Sequence, residues 1–249
     1  MADAPAGFVR VTAGECVAVA LAAHEEDARR MLHEGSLYEA AARDLGARSL
    51  QGRGVAYAVA LPATGTRAVV RHNRHGGVLA PLTRDLFLPP TRAPHELAIA
   101  QRLRTLGVPT PEVLMYGTSP APFPFRRADV VTREIEGGRD LSTYMKRGAS
   151  DVERRAAWEA TRTLVQTMNA AGVRHHDLNV KNVLLAPGAV GLVAHLLDVD
   201  RVTFGAPGDP DVARGNVARL LRSARKWRDE RGAVLDDEEL AALQPTDAR

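Results

Sequence analysis

The chain has 249 residues, 45% of them hydrophobic and 25% charged, with 15 prolines and one cysteine; this excludes disordered and collagen-like classes and suffices for one ordinary core or two small lobes. A single cysteine leaves no disulfide framework and no cluster for a structural zinc, so Cys16 reads as a small buried hydrophobe. The net charge of +3 is uneven: residues 1–42 carry 3 basic and 7 acidic groups, 43–147 carry 16 and 8, and 148–249 carry 14 and 15, which makes the middle segment the part suited to an anionic partner.

Residues 1–10 lack the basic start and apolar centre of a secretory signal. No apolar run approaches the roughly 20 residues needed to span a bilayer, and the chain reads as a soluble cytoplasmic protein. The Arg, Glu and Ala content of residues 1–47 suggests helices packed on a first lobe. Gly52-Arg53-Gly54 then leads into residues 55–61 (VAYAVAL) and 66–71 (TRAVVR), two strands flanking a turn at residues 62–65. Pro94 opens a helix running to about Leu106, ended by Gly107 and Pro109. Leu97, Ala100 and Leu103 line one face of it, and Glu96 borders that buried side.

Residues 128–135 (ADVVTREI) form a buried strand, and Glu136-Gly137-Gly138 breaks the pattern as a linker. This places a first lobe at residues 1–136 and a second at 137–249. Ser150-Asp151-Val152-Glu153 has the capping-box pattern, and Ala157, Thr161, Leu164, Val165 and Met168 continue as a helical stripe ending at Gly172. Short apolar runs at 183–185 and 192–197 form a second hairpin about the turn Ala186-Pro187-Gly188. The acidic, proline-containing tail after Ala233 frays.

Between the capped helix and the second hairpin lies His175-His176-Asp177-Leu178-Asn179-Val180-Lys181-Asn182, and Asp198 follows the hairpin. A carboxylate to accept a hydroxyl proton, a carboxamide five residues on and a carboxylate after a strand form the catalytic layout of protein-kinase-like phosphotransferases. Phosphoryl transfer depends on positioning and charge neutralisation. Asn182 and Asp198 supply hard oxygens for magnesium, and Asp177 can orient the acceptor hydroxyl and take its proton. In the amino-terminal half, Gly52 and Gly54 let backbone amides approach the phosphates of ATP. Arg71 ends a strand where a phosphate-binding lysine is expected, keeping the charge with a different geometry, and Glu96 can pair with it.

The stretches Gly52-Arg53-Gly54, Val70-Arg71-His72-Asn73-Arg74-His75-Gly76-Gly77, Thr91-Arg92-Ala93, Gly107-Val108-Pro109-Thr110-Pro111, Ala128-Asp129, Asp177-Leu178-Asn179, Asp198-Val199-Asp200-Arg201 and Asn216-Val217-Ala218-Arg219-Leu220 together resemble the 3-deoxy-D-manno-octulosonic acid (Kdo) kinases. These are lipopolysaccharide kinases of the protein-kinase-like superfamily, and the similarity covers about residues 48–228. It implies a two-lobed α+β fold, with a mainly β first lobe carrying one key helix, a mainly helical second lobe, and ATP and Mg2+ between them. It also implies phosphorylation of a Kdo hydroxyl, the 4-hydroxyl, on a lipopolysaccharide precursor by a protein peripheral to the cytoplasmic face of the inner membrane, with no nucleic acid and no protein substrate.

Two further readings stand beside it. A phosphotransferase acting on another sugar, of heptose or aminoglycoside type, shares the logic of Asp177 and Asp198, and a pseudokinase would keep the fold without turnover. A protein kinase is disfavoured because only 51 residues follow Asp198 and none form an Ala-Pro-Glu-like anchor. His175 orients the catalytic loop by hydrogen bonding, Trp158 and Trp227 belong to the core, and Arg222, Arg225, Lys226 and Arg228 form a basic run on a late helix suited to anionic lipid or to solvent.

Overall fold

The computed structural model describes residues 4–51, 54–73, 85–236 and 243. The chain divides into two compact units, Met1–Ala98 with Glu112–Glu134, and Ile99–Pro111 with Ile135–Arg249.

The first unit contains strands β1 (Phe8–Ala13) and β2 (Cys16–Leu21), helices α1 (Glu25–His33) and α2 (Leu37–Arg43), strands β3 (Arg48–Gln51), β4 (Val55–Ala60) and β5 (Arg67–His72), the start of helix α3 (Ala93–Thr105), and strands β6 (Val113–Pro120) and β7 (Arg126–Arg133). The strands form one sheet in the order β1-β2-β6-β7-β5-β4-β3. Each neighbouring pair is antiparallel. The helices expected for residues 1–47 therefore begin only at α1, and residues 8–21 are a hairpin. Ala13 faces Cys16 across a two-residue loop in which Gly14 takes φ +57°. The alanines that suggested helix are small sheet residues instead: Ala18 and Ala20 are fully buried in the core that also holds Ala28, Met31 and Leu32 of α1.

Helix α1 also carries a fully buried carboxylate. Asp27 accepts hydrogen bonds from Ala63 N (2.7 Å), Thr64 N (3.0 Å) and Thr64 Oγ1 (2.8 Å), and lies 2.9 Å from His24 Nδ1. The turn between β4 and β5 is thus tied to α1. Burial alone raises the Asp27 carboxyl, but the hydrogen bonds from His24, Thr64 and Ala63 outweigh it and hold the group below its ordinary value. Cys16 is half-buried rather than buried, and burial pushes its thiol up.

The second unit contains β8 (Arg139–Asp140), α4 (Leu141–Tyr144), α5 (Asp151–Ala170), β9 (Val173–His175), β10 (Val183–Gly188), β11 (Gly191–Leu196), β12 (Val202–Phe204) and α6 (Pro210–Arg231). Its small sheets are β11-β10-β8 and β12-β9. The segment after α3 joins this unit, since the Pro109 carbonyl accepts from Leu196 N at 2.8 Å and Thr110 Oγ1 donates to Leu196 O at 2.9 Å. Helix α5 begins with a complete capping box: Ser150 Oγ accepts from Glu153 N at 3.2 Å, and Glu153 Oε2 accepts from Ser150 N at 3.1 Å. Its stripe of Ala157, Thr161, Leu164, Val165 and Met168 is buried. Past its end, Gly172 takes φ +67°, and a Cβ there would stand 2.5 Å from the Gly205 carbonyl oxygen, so only glycine fits.

Two sequence expectations are corrected here. The second hairpin turns at Ala189-Val190 rather than at Ala186-Pro187-Gly188, because Pro187 pairs with Leu192 inside the ladder. Strand β8 reaches only Leu184 and Leu185 on the other side of β10, so nothing there requires the N–H that proline lacks. The tail is also docked at its start rather than frayed: Val234 N donates to Met145 O at 2.8 Å, and Leu235 and Leu243 are buried.

Candidate active site

The structure holds the backbones of the two candidate aspartates of the second unit on one buried imidazole and ties Asn182 to the first of them. His175 ends β9 and is fully buried. Its Nδ1 accepts from Asp177 N at 3.1 Å, and its Nε2 lies 3.1 Å from the carbonyls of Leu197 and Asp198. An acceptor at Nδ1 and a donor at Nε2 define the neutral Nε2–H tautomer. Burial pushes the imidazole below its ordinary value, against opposing hydrogen bonds and the charges of Asp198 and Asp177. One ring therefore fixes the backbone of both aspartates.

Asn182 is joined to the same loop. Its Nδ2 donates to the Asp177 carbonyl at 2.9 Å, as does Asn179 Nδ2, and the Asn182 carbonyl accepts from Leu197 N at 2.9 Å. With the amide nitrogen committed to the backbone, Oδ1 is the end of Asn182 suited to a cation. Asp198 has φ +57° and ψ +49°, and is the one non-glycine residue with positive φ among the described residues. A left-handed aspartate is a sparsely populated state that the His175 contact and the following 3-10 turn hold in place. Among the described residues no three His, Cys, Asp or Glu are arranged to hold an ion. Two protein oxygens with phosphate oxygens are instead the donor set that magnesium takes, and the oxygens of Asn182 and Asp198 fit it.

Two residues to which the sequence alone gives no role complete this half of the site, both on α6. Asn216 is fully buried: its Oδ1 accepts from His175 N at 3.0 Å, and its Nδ2 donates to Val173 O at 2.7 Å and Asn169 Oδ1 at 3.0 Å. Arg219 Nη2 donates to Asp177 Oδ1 at 2.9 Å. Both lie in the 216–220 stretch that carries the resemblance; a polar residue on the buried side of an otherwise apolar helical stripe is the further signal for Asn216, and nothing in the sequence assigns Arg219 its partner. Trp227, expected in the core, is a half-buried platform facing Arg231 at 4.5 Å and Lys181 at 5.3 Å, and Lys181 Nζ also donates to Asp140 Oδ2 at 2.9 Å. Arg222, Arg225 and Lys226 of the basic run of α6 line an open depression of about 670 Å³ together with Asp229 and Glu230, so that face is of mixed charge.

In the first unit, β5 carries Arg71, whose Nη2 is ion-paired with Glu96 Oε1 and whose Nη1 donates to Asn73 Oδ1 at 3.2 Å. Glu96, in the first turn of α3, is buried at 4% exposure, where the guanidinium compensates its charge. Gly54 stands just before β4; Gly52 lies outside the described residues, as do Arg74 through Arg84. A cluster adjoins Arg71 that joins His72 and Asp129, both in stretches carrying the resemblance, to Tyr38 outside them. Buried Asp129 of β7 lies 2.5 Å from His72 Nδ1 and accepts from Tyr38 N at 3.0 Å. The Tyr38 ring stacks on His72 with centroids 3.6 Å apart, and its hydroxyl donates to Val55 O at 3.1 Å.

Comparison with known proteins places this geometry. The family model described as "Lipopolysaccharide kinase (Kdo/WaaP) family" matches residues 41–238. The chain belongs to that family. Among curated members of the lipopolysaccharide kinase family, the 3-deoxy-D-manno-octulosonic acid kinase of Stenotrophomonas maltophilia (strain R551-3) is 33% identical over 189 residues, covering 72% of this chain and 70% of that protein. The protein of the same name from Xylella fastidiosa (strain M12) is 32% identical over 186 residues, covering 72% of this chain and 70% of that one. A solved structure of WaaP in complex with acyl carrier protein superposes with a TM-score of 0.51 at 19% identity, over 86% of this chain and 83% of that chain. The fold is α+β and protein-kinase-like, and the lipopolysaccharide kinase match begins within α2, after the β1-β2 hairpin and α1.

Proposed function

We propose that the protein transfers the γ-phosphoryl group of ATP to a hydroxyl of Kdo, the 4-hydroxyl, on a lipid A-linked lipopolysaccharide precursor. The observation that carries the reading is the linkage of Asp177, Asn182 and Asp198 through His175 and the Asp177 carbonyl. The names of the curated relatives supply the acceptor class.

In the transfer, a bond forms between the acceptor oxygen and the γ-phosphorus, the bond from that phosphorus to the β,γ-bridging oxygen breaks, and the acceptor proton passes to the Asp177 carboxylate. Asn182 and Asp198 would hold Mg2+, which supplies charge neutralisation on the phosphate oxygens. Arg71, backed by Glu96, offers a permanent two-pronged donor to phosphate, and the backbone at Gly54 can approach closely because it has no side chain. His175 works only by position: it holds the Asp177 and Asp198 backbones at fixed separation, and burial keeps it neutral.

The experiment is phosphate incorporation into Kdo-lipid A by the purified protein with ATP and Mg2+, beside Asp177→Asn and with a heptosylated acceptor and an aminoglycoside as alternatives. Label on Kdo, reduced at least about a hundredfold in the variant, supports the proposal. Label only on another sugar transfers the reading to that acceptor, and nucleotide binding with no transfer to any acceptor refutes catalysis in favour of a pseudokinase. For peripheral membrane contact, the supporting feature is Phe123, 97% exposed in the loop before β7, with Arg126 and Arg127 following it. Phe123→Ser is expected to weaken co-sedimentation with anionic vesicles, and no helix among the described residues is long and apolar enough to cross a membrane.

A further inference from the structure

The proposed base does not sit alone. Arg219 and Asp177 are joined at 2.9 Å, with side chains 35% and 34% exposed, so the pair is reachable from solvent. One helical turn earlier on α6, Gly215 occupies the i−4 position on the same face. The guanidinium of Arg174 lies directly against it, where a Cβ at position 215 would collide with that group. Arg174 Nη1 donates to the Val212 carbonyl at 3.3 Å, and among the described residues no carboxylate is paired with it. Burial pushes the Arg174 guanidinium down from its ordinary value, and the charge of Arg219 pushes it further. Two guanidinium groups thus stand along one face of α6; Asp177 is paired with Arg219, and Asp211, a further turn earlier, is paired with Arg214. The arrangement holds more positive charge than its own acid compensates.

We propose that Arg219 and Arg174 form an anion subsite beside Asp177 that binds the carboxylate of an acidic sugar acceptor. The proposal rests on the phosphotransferase reading for its choice of acceptor but not for its chemistry. Arg219 has five N–H donors in a planar fork, and only one of them engages Asp177. An incoming carboxylate takes the remaining donors, and Arg174 adds the second positive charge. The acceptor then lies with its acid on Arg219 and a hydroxyl toward Asp177. Gly215 is the residue that makes room, since any side chain there displaces Arg174.

The test separates binding from turnover. Binding of free Kdo and of its methyl ester, which differ only in the acid, is measured by calorimetry on the wild type, Arg219→Gln, Arg219→Lys and Gly215→Ala, each first checked for folding by thermal melting. The wild type is expected to favour the acid at least tenfold, roughly what one charge-assisted contact gives. Arg219→Gln reduces the preference below about threefold, Arg219→Lys retains part of it, and Gly215→Ala lowers it with Arg219 intact. A wild type that binds acid and ester equally overturns the subsite, as does an Arg219→Gln variant that keeps the full preference. In the turnover arm, the subsite predicts that Arg219→Gln raises KM for the acid much more than for the ester; an equal fall in kcat on both acceptors would show that Arg219 only positions Asp177. Acid-selective binding lost in Arg219→Gln, with no phosphate transferred by the wild type, upholds the subsite while refuting the kinase reading.

Discussion

His175 gives the sharpest test of the second unit. Replacing it with alanine removes the acceptor for Asp177 N and the donor shared by the Leu197 and Asp198 carbonyls, in a position with no solvent exposure. A backbone group left unpaired away from water costs about 1–3 kcal/mol, and with three groups losing a partner, two of which share one donor, and a ring-sized void, the loss should be roughly 3–5 kcal/mol. For a chain of this size that lowers Tm by about 10 °C. Protonation tests the same contacts. Because burial depresses the folded-state value of His175, the unfolded chain binds the proton first. The contribution is complete above the unfolded value of about 6.5 and is lost as pH falls from there toward the folded value, at up to about 1.4 kcal/mol per pH unit. Burial also lowers His195, so the wild type carries two such contributions. Urea melts at half-unit steps from pH 7.5 to 5 should show His175→Ala or His175→Gln with a slope shallower by one proton. A slope equal to that of the wild type, or a stability change under about 0.5 kcal/mol at pH 7.5, would refute the buried neutral imidazole.

Three other outcomes are expected. Arg71→Met removes the ion pair from the buried Glu96 carboxylate and should cost about 2–3 kcal/mol at pH 8, the lower side of the usual range because Arg71 is one-third exposed; adding Glu96→Gln should recover part of it, and a strictly additive double-mutant cycle would contradict the coupling. Asp27→Asn should cost about 1–3 kcal/mol at pH 7 in chemical denaturation. Since the Asp27 carboxyl is held below its ordinary value, the wild-type advantage is present above the unfolded value of about 3.9 and is lost as pH falls through the folded one. Gly172→Ala combines a left-handed backbone with a close approach to the Gly205 carbonyl and should lower stability by more than about 1 kcal/mol, with a shift within error on thermal melting counting against the crowding.

How much of the molecule is legible in the sequence depends on whether a signal is local. The capping box at Ser150 and Glu153 with its stripe is local, and α5 is where periodicity places it. The same holds for α3, whose Glu96 borders the apolar face and turns inward. Asp177, Asn182 and Asp198 group together by sequence spacing because only a short loop and one hairpin separate them. The contacts of Asn216 and Arg219 cross about 40 residues, and only folding brings α6 beneath the loop. Strands β1 and β2 are obscured by alanine, which favours helix in isolation yet fits where a helix packs close on a sheet. Strand β6 is hidden because Gly117 and Pro120 read as turn punctuation, and Pro187 misleads in the opposite direction, as a turn signal inside a ladder.

The amino-terminal segment outside the family match is structurally continuous with the strand that carries Arg71. Strand β2 pairs with β6 from Val17 to Ala20, and β6 pairs with β7, which carries Asp129. The Asp129 carboxylate receives the Tyr38 N–H at the start of α2 and meets His72, the residue after Arg71 on β5. Tyr38 closes the circuit by stacking on His72 and by donating to Val55, which follows Gly54. One carboxylate with 1% exposure therefore joins α2, β7 and β5, and one tyrosine joins α2 to the entry of β4. Such a network is rigid only while every member is satisfied, so a change at Tyr38 or Asp129 has two direct routes, through His72 to Arg71 on β5 and through Val55 to the start of β4. The β1-β2 hairpin and the two helices that follow are accordingly part of the frame that sets the position of Arg71, rather than an appendage to it.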